Sequence, residues 1–241
     1  ESLPSQTERY PRARLVPKGL RGVLDAMFMG CQGLAWEGAR SLAGWGVGEV
    51  TSMEMMFCNC TRFDADLSGW KTGKVRRMDK MFKHDVRFEC DLSQWDVGEV
   101  RDMHSMFDSC VRFNSDLSQW DVGNVQDMSG MFAYCDSLNT DLSRWNVGRV
   151  KDMRYMFYGC ISFNSDLSRW DVGRVQDMSY MFCHCEKFNS DLSKWDVAQV
   201  YKMRGMFGEC KSFTSDLSGW KSGEVVDAMA MFRGCPLPKV K

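Results

Sequence analysis

The chain has 241 residues, 44% of them hydrophobic and 26% charged, with a formal net charge of −1. This length suits one large domain, and so even a charge balance gives no global pull toward nucleic acid or an anionic membrane surface. No run of about 18 apolar residues occurs, which argues against a membrane-spanning helix.

Residues 1–21 carry Arg9, Arg12, Arg14, Lys18 and Arg21 against Glu1 and Glu8, and include Pro4, Pro11 and Pro17. They read as an extended basic N-terminal arm. The chain opens on Glu1 rather than Met, which suggests that an upstream targeting segment was removed. No proline occurs again until Pro236, as expected if every coil between them donates backbone N–H groups to its neighbours. Residues 22–235 then form the repeat region, capped at both ends, and residues 236–241 a short tail.

A Met-Phe pair recurs every 25 residues, at Met56, Met81, Met106, Met131, Met156, Met181, Met206 and Met231, with a diverged copy at Met27–Phe28. A fixed period of this size means stacked supersecondary units, none of which can bury its apolar face alone. In the coil that starts at Leu117, the alternation of Trp120 and Val122 predicts a short strand, and Gly123 a tight bend. Val125, Met128, Met131, Phe132 and Cys135 then fall at helical spacing, with Asp127 near the helix start, and DSLNT is the return loop. The fold class expected is α/β: a right-handed, leucine-rich-repeat-like solenoid of about nine strand–turn–helix coils.

Stacking such coils turns repeated residues into columns. Tryptophan holds one place in eight coils, from Trp45 and Trp70 through Trp195 and Trp220. Phe63, Phe88, Phe113, Phe163, Phe188 and Phe213 hold another, with Leu138 as the exception. Both predict interior stacks rather than cofactor contacts. An Asp-Leu-Ser triplet recurs at Asp66, Asp91, Asp116, Asp141, Asp166, Asp191 and Asp216. Without the glycine-rich GGxGxD pattern of a calcium-binding roll, these carboxylates are expected to bond local backbone amides in turns.

The run FNSDLSRWDVGRVQDMSYMFCHC and its sister copies resemble the BspA-like leucine-rich-repeat surface proteins, whose repeats take the form FNxDLSxWDVSxVxxMxxMFxxC. The resemblance covers roughly residues 22–235. It implies a leucine-rich-repeat-type solenoid, a surface or secreted location and, for some members, adhesion or binding of host proteins. Gly98, Gly123, Gly148 and Gly173 stand where the family often has Ser, and Ala228 replaces the usual Met in the last coil.

Eight of the eleven cysteines share one column: Cys31, Cys60, Cys110, Cys135, Cys160, Cys185, Cys210 and Cys235, interrupted by Asp85. Their place on the apolar side predicts buried thiols acting as small hydrophobes. Cys58-Asn-Cys60 and Cys183-His184-Cys185 lie five coils apart, about 24 Å at ~4.8 Å per coil, so they cannot share one metal ion. His84, His104 and His184 come with no nucleophile–base pattern, and there is no phosphate loop or GxSxG elbow. No catalytic residue, metal or cofactor is expected.

A partner would bind where the columns vary. The place before Trp becomes basic at Arg144, Arg169 and Lys194, and further basic residues follow at Arg149, Arg154 and Arg174. Tyr155, Tyr158, Tyr180 and Tyr201 gather in the same stretch. Arg and Tyr combine apolar area with directed polar groups and are enriched at interfaces, so residues 144–201 are the expected partner-binding patch. The neighbouring acidic column argues against RNA. The expected function is non-enzymatic: a protein-binding scaffold, read as a surface adhesion module through the resemblance. The alternative is an accessory structural subunit of a larger protist complex, organellar and membrane-associated only through its partners.

Overall fold

The computed structural model describes residues 19–32, 40–221 and 223–236. Residues 1–18 of the expected basic arm and residues 237–241 of the tail lie outside them. Arg21, the last residue of the expected arm, opens strand β1 (Arg21–Val23), which pairs in parallel with β2 (Glu49–Ser52); the short helix α1 (Arg40–Ala43) lies between them in the chain. Among the described residues these are the regular elements. The α/β, leucine-rich-repeat-like solenoid of strand–turn–helix coils therefore does not form.

What forms is a parallel stack of rungs built from turns. In the rung that holds Trp120, amides bond the carbonyl three residues earlier at Trp120 to Leu117, Val125 to Val122, Met131 to Met128, Cys135 to Phe132 and Leu138 to Cys135, all at 3.0–3.1 Å. The alternating amides between them point along the stack instead: Met128 to Asp152, Gly130 to Arg154, Phe132 to Met156 and Tyr134 to Tyr158. Amides of this stretch are thus satisfied partly within the rung and partly between rungs. Among the described residues, the ladder-like contacts after β2 are single parallel bridges 25 residues apart, from Ser52–Arg77 to Lys202–Asp227.

The helix and the strand fail for identifiable reasons. A turn closed between residues i and i+3 places Met128 with Met131, and Phe132 with Cys135, on the inner side just as a helix would. The apolar spacing is common to both structures. The backbone is not: Gly130 has φ +61° and Tyr134 φ +58°, each at the third place of a turn, as a type II turn requires and a right-handed helix forbids. The expected strand at Trp120–Val122 is absent, and no bridge is made there. The bridge of this rung sits at Asp127, which had been expected at the helix start.

Aromatic columns fill the interior. Phe28, Phe57, Phe82, Phe107, Phe132, Phe157, Phe182, Phe207 and Phe232 stack in one series with ring centroids 5.4–5.8 Å apart. Trp145, Trp170 and Trp195 stack at 6.4–6.5 Å with rings nearly parallel. Each indole N–H also donates to a leucine carbonyl of the preceding rung, Trp145 to Leu117 and Trp170 to Leu142, so the tryptophan column buries area and ties rungs together. Full burial of one such ring is worth about 1.5–3 kcal/mol, repeated at every step. The Asp-Leu-Ser carboxylates do bond local amides: Asp66 Oδ1 accepts from Ser68 and Asp166 Oδ1 from Ser168, both at 2.9 Å.

The end rungs depart from the expected caps. Leu217, Trp220, Met231 and Phe232 are half-buried, although their counterparts Leu192, Trp195, Met206 and Phe207 are 0–3% exposed. Val226 is 80% and Met229 60% exposed.

Candidate interaction surface

Two places in each rung adopt positive φ and turn their side chains away from the core. One holds Ala26, Met55, Lys80, Ser105, Tyr155, Tyr180 and Ala230, with Gly130 and Gly205 in the remaining rungs. The other holds Asn59, His84, Ser109, Tyr134, His184 and Glu209, with Gly30, Gly159 and Gly234. Glycine is the residue that fits such a backbone without cost, and a bulky side chain there costs about 1–2 kcal/mol. The chain nevertheless puts three tyrosines in these places on adjacent rungs.

Those tyrosines meet. Tyr155 stacks on Tyr180 at 4.9 Å, Tyr158 sits edge-on to Tyr155 at 5.6 Å and to Tyr134 at 5.1 Å, and His184 lies edge-on to Tyr158 at 5.7 Å. Glycine makes room for the rings: a Cβ on Gly159 would come 3.0 Å from Tyr134, and one on Gly205 2.6 Å from Tyr180. Tyr134 and Tyr155 remain exposed. Burial, with Tyr134 beside it, pushes the Tyr158 phenol up to about 12, and burial raises Tyr155 as well, so both stay neutral hydrogen-bond donors at physiological pH.

Beside the rings lies an open hollow lined by His104, Ser105, Asp108, Ser129, Gly130, Ala133, Tyr134, Arg154, Tyr155 and Tyr158. His104 Nδ1 is 2.7 Å from Ser129 Oγ, which donates to Asp127 Oδ1 at 2.5 Å. Arg154 pairs with Asp152 at 3.1 Å. The Ser129 hydroxyl thus lies within hydrogen-bond reach of the His104 imidazole while its own proton goes to Asp127, and His104 Nδ1 also lies 2.9 Å from the Ser129 carbonyl. Among the described residues no group of three or more His, Cys, Asp or Glu side chains could hold a metal ion.

Of the expected patch, Arg154, Tyr155 and Tyr158 therefore share one hollow, and Tyr180 joins through its stack on Tyr155. Arg149 and Arg174 line a second, more polar hollow with Asp121, Asn124, Asn146 and Asp171, which shares no residue with the first. Arg149 donates to Asn124 there. Arg144, Arg169 and Lys194 are exposed and line neither hollow. Tyr201 is covered on one side by Lys202, whose Nζ lies 5.5 Å from the ring. Tyr134, His184 and the His104–Ser129 pair were not anticipated. Aligning the rungs would have found the first two, because 134 and 184 occupy the same place 50 residues apart.

The cysteine column is inward and inert. All eleven cysteines are free. Cys110 donates its thiol to the Phe82 carbonyl, Cys135 to Phe107 and Cys185 to Phe157, at 2.9–3.1 Å. Burial drives these thiol pKa values well above the ordinary range, and thiols are poor nucleophiles when protonated.

A known family model matches most of the chain. That model, Mycoplasma protein of unknown function DUF285, matches residues 23–145 and again 126–239. The chain belongs to the DUF285 family. No curated protein matches it. In this DUF285 member no helix among the described residues is long and apolar enough to cross a membrane. The two matches overlap at residues 126–145 and together span both hollows and the tyrosine cluster.

Proposed function

We propose that this DUF285 chain is a non-enzymatic protein-binding scaffold whose partner docks on the tyrosine cluster of Tyr134, Tyr155, Tyr158 and Tyr180, flanked by Arg154. The observation that carries this reading is the placement of exposed aromatic rings at left-handed backbone positions that glycine fills elsewhere in the same stack. Stability alone favours glycine there, so the rings are maintained against a folding cost, and strain of this kind concentrates at binding sites. Tyrosine and arginine are also the residues that dominate interface energetics. The basic residues Arg144, Arg149, Arg169, Arg174 and Lys194 form the outer part of the docking zone and steer an acidic partner.

The resemblance to BspA-like proteins makes a surface adhesion module the form of this scaffold that we favour. The free, buried cysteines support the second form, an accessory subunit of an organellar complex, because an oxidising exterior favours disulfides. Crosslinking of the native chain followed by mass spectrometry of its neighbours separates the two: fixed complex subunits support the second, host or matrix proteins the first. The captured partner then tests the face. Tyr134→Ser with Tyr155→Ser should weaken capture at least tenfold with an unchanged melt, and Arg144→Glu, Arg169→Glu and Arg174→Glu together should slow association. Undiminished capture by the tyrosine variant would refute the face.

A further inference from the structure

The hollow beside the tyrosines comes from a change of residue size at fixed places in the rung. Gly130 and Ala133 occupy the places that Tyr155 and Tyr158 occupy 25 residues later. The small pair leaves a floor beside a wall of rings, in an opening of about 440 Å³ that Tyr134 also lines. Tyr158 is inclined at 61° to Tyr155 and at 72° to Tyr134, so the rings stand as separate walls rather than as one flat platform. Tyr134 is 50% and Tyr155 42% exposed, which leaves ring surface open to a ligand. The face of an aromatic ring is electron-rich and attracts a cation held within about 6 Å of its centre.

The charges around the hollow favour a cation as well. The place that forms the inter-rung bridges is Arg77 and Lys202 on the outer rungs, but Asp102, Asp127, Asp152 and Asp177 on the four rungs between them. Tyr134, Tyr155, Tyr158 and Tyr180 all stand on these acidic rungs. The two cations near the hollow are already neutralised, Arg154 by Asp152 at 3.1 Å and Lys83 by Asp108 at 2.7 Å. The carboxylates also have donors of their own: Asp102 accepts from the His104 amide at 3.0 Å, Asp127 from the Ser129 amide at 2.8 Å, and Asp108 from the Ser109 hydroxyl at 2.8 Å. Negative potential is present while the acceptor oxygens are engaged. A primary ammonium entering here would strip water from three N–H donors and find its acceptors taken; a fully alkylated ammonium has no N–H and escapes that cost.

We infer that the hollow holds the trimethylammonium group of a methylated lysine on the docked partner protein. The rings of Tyr134, Tyr155 and Tyr158 take its methyl groups, Gly130 and Ala133 give it room, and the aspartate row supplies the field. A choline head carries the same group, but its phosphate would lie against that aspartate row, whereas the stem of a lysine is uncharged. Such a lysine presupposes that the partner docks on this face, as proposed above. The Arg149–Arg174 hollow, which shares no residue with this one, leaves a separate place for acidic parts of the partner.

Titration of Nε-trimethyl-lysine, blocked at both backbone ends, into the 241-residue chain tests this. Proton NMR reads the upfield ring-current shift of its methyl signal, and calorimetry reads the affinity. Binding should saturate and be about tenfold tighter than that of blocked lysine, and of the neutral analogue with carbon in place of the ammonium nitrogen. Tyr155→Phe keeps the ring and should bind nearly as well as the wild-type chain. Tyr134→Ser with Tyr155→Ser should lose about tenfold or more with an unchanged melt. Absence of binding, equal binding of the neutral analogue, or undiminished binding by the double serine variant overturns the inference. So does recruitment of the chain to phosphatidylcholine vesicles without binding of the lysine probe. If the double serine variant loses partner capture while the wild-type chain ignores trimethyl-lysine, the docking face stands and the trimethylammonium assignment falls.

Discussion

Replacing Asp85 by cysteine should stabilise the protein far more at neutral pH than at pH 4. Asp85 stands in the thiol column, fully buried, and neither carboxyl oxygen has a hydrogen-bond partner among the described residues. The Cys60 amide, already bonded to the Phe57 carbonyl at 3.0 Å, opposes the effect of burial only in part. Burial therefore raises the Asp85 carboxyl from the ordinary 3.8 to about 9. The folded chain holds this proton where the unfolded chain has released it. Stability is full below the unfolded value, falls by about 1.4 kcal/mol per pH unit as the pH rises between the two, and levels off above the folded one. From pH 3.8 to 7 the loss sums to about 4 kcal/mol. Asp85→Cys removes that term and restores the residue found in the neighbouring rungs at Cys60 and Cys110. Burial holds the neighbouring thiols of Cys58, Cys60 and Cys110 above their ordinary value, so they stay protonated from pH 4 to 7 in both variants and add nothing to the difference. Urea denaturation followed by tryptophan fluorescence at pH 4, 5.5 and 7 measures the difference. A gain at pH 7 that shrinks by about 4 kcal/mol on going to pH 4, leaving the roughly 1–3 kcal/mol that an unpartnered neutral carboxyl costs, is expected. A gain of equal size at every pH, or none at pH 7, would show that the carboxyl is not held as a desolvated acid.

Trp145→Ala should cost about 3–5 kcal/mol in the same assay, because it opens a cavity and strips the Leu117 carbonyl of its indole donor; a negligible shift would contradict the buried column. Gly205→Ala should destabilise by about 1–2 kcal/mol through its φ of +57° and the approach to Tyr180. In the background of Tyr180→Ser the cost of Gly205→Ala should shrink, which a double-mutant cycle reads directly. Native thiol labelling at pH 8 should be slow at all positions and begin at the half-buried Cys90 and Cys235, with all eleven reacting once the chain is unfolded. Fast native labelling at Cys135 would be incompatible with its buried bond to Phe107.

The repeat was the legible part of the sequence. Its period placed the Trp and Phe columns, the Asp-Leu-Ser turns and the inward cysteines, because a residue recurring every 25 positions in a stack must meet its own copies. Secondary structure was not legible. Val125, Met128, Met131, Phe132 and Cys135 satisfy helix and consecutive turns equally, and the choice is made by tertiary terms: amides such as Phe132 find carbonyls one rung away, and the Phe series packs only if the rungs stay thin. The surface patch was read from composition along the chain, which put Arg149 beside Tyr155. The fold sorts residues by place in the rung instead, separating the Arg149–Arg174 hollow from the tyrosines and bringing in Tyr134 and His184. Asp85 was visible as an interruption of the cysteine column, but its missing hydrogen bonds are a property of the packed interior.

The direction of the hydrogen bonds has a mechanical consequence. Within each rung the covalent chain runs across the stack, and the bonds from Phe132 to Met156 or from Gly130 to Arg154 run along it. Tension applied between the two end rungs has no continuous backbone to travel through and falls on one inter-rung step at a time. Each step that parts frees 25 residues, about 85 Å of slack at ~3.4 Å per residue, while the remaining rungs stay closed. Under force such a protein lengthens as a staircase of equal treads, absorbing work at every tread.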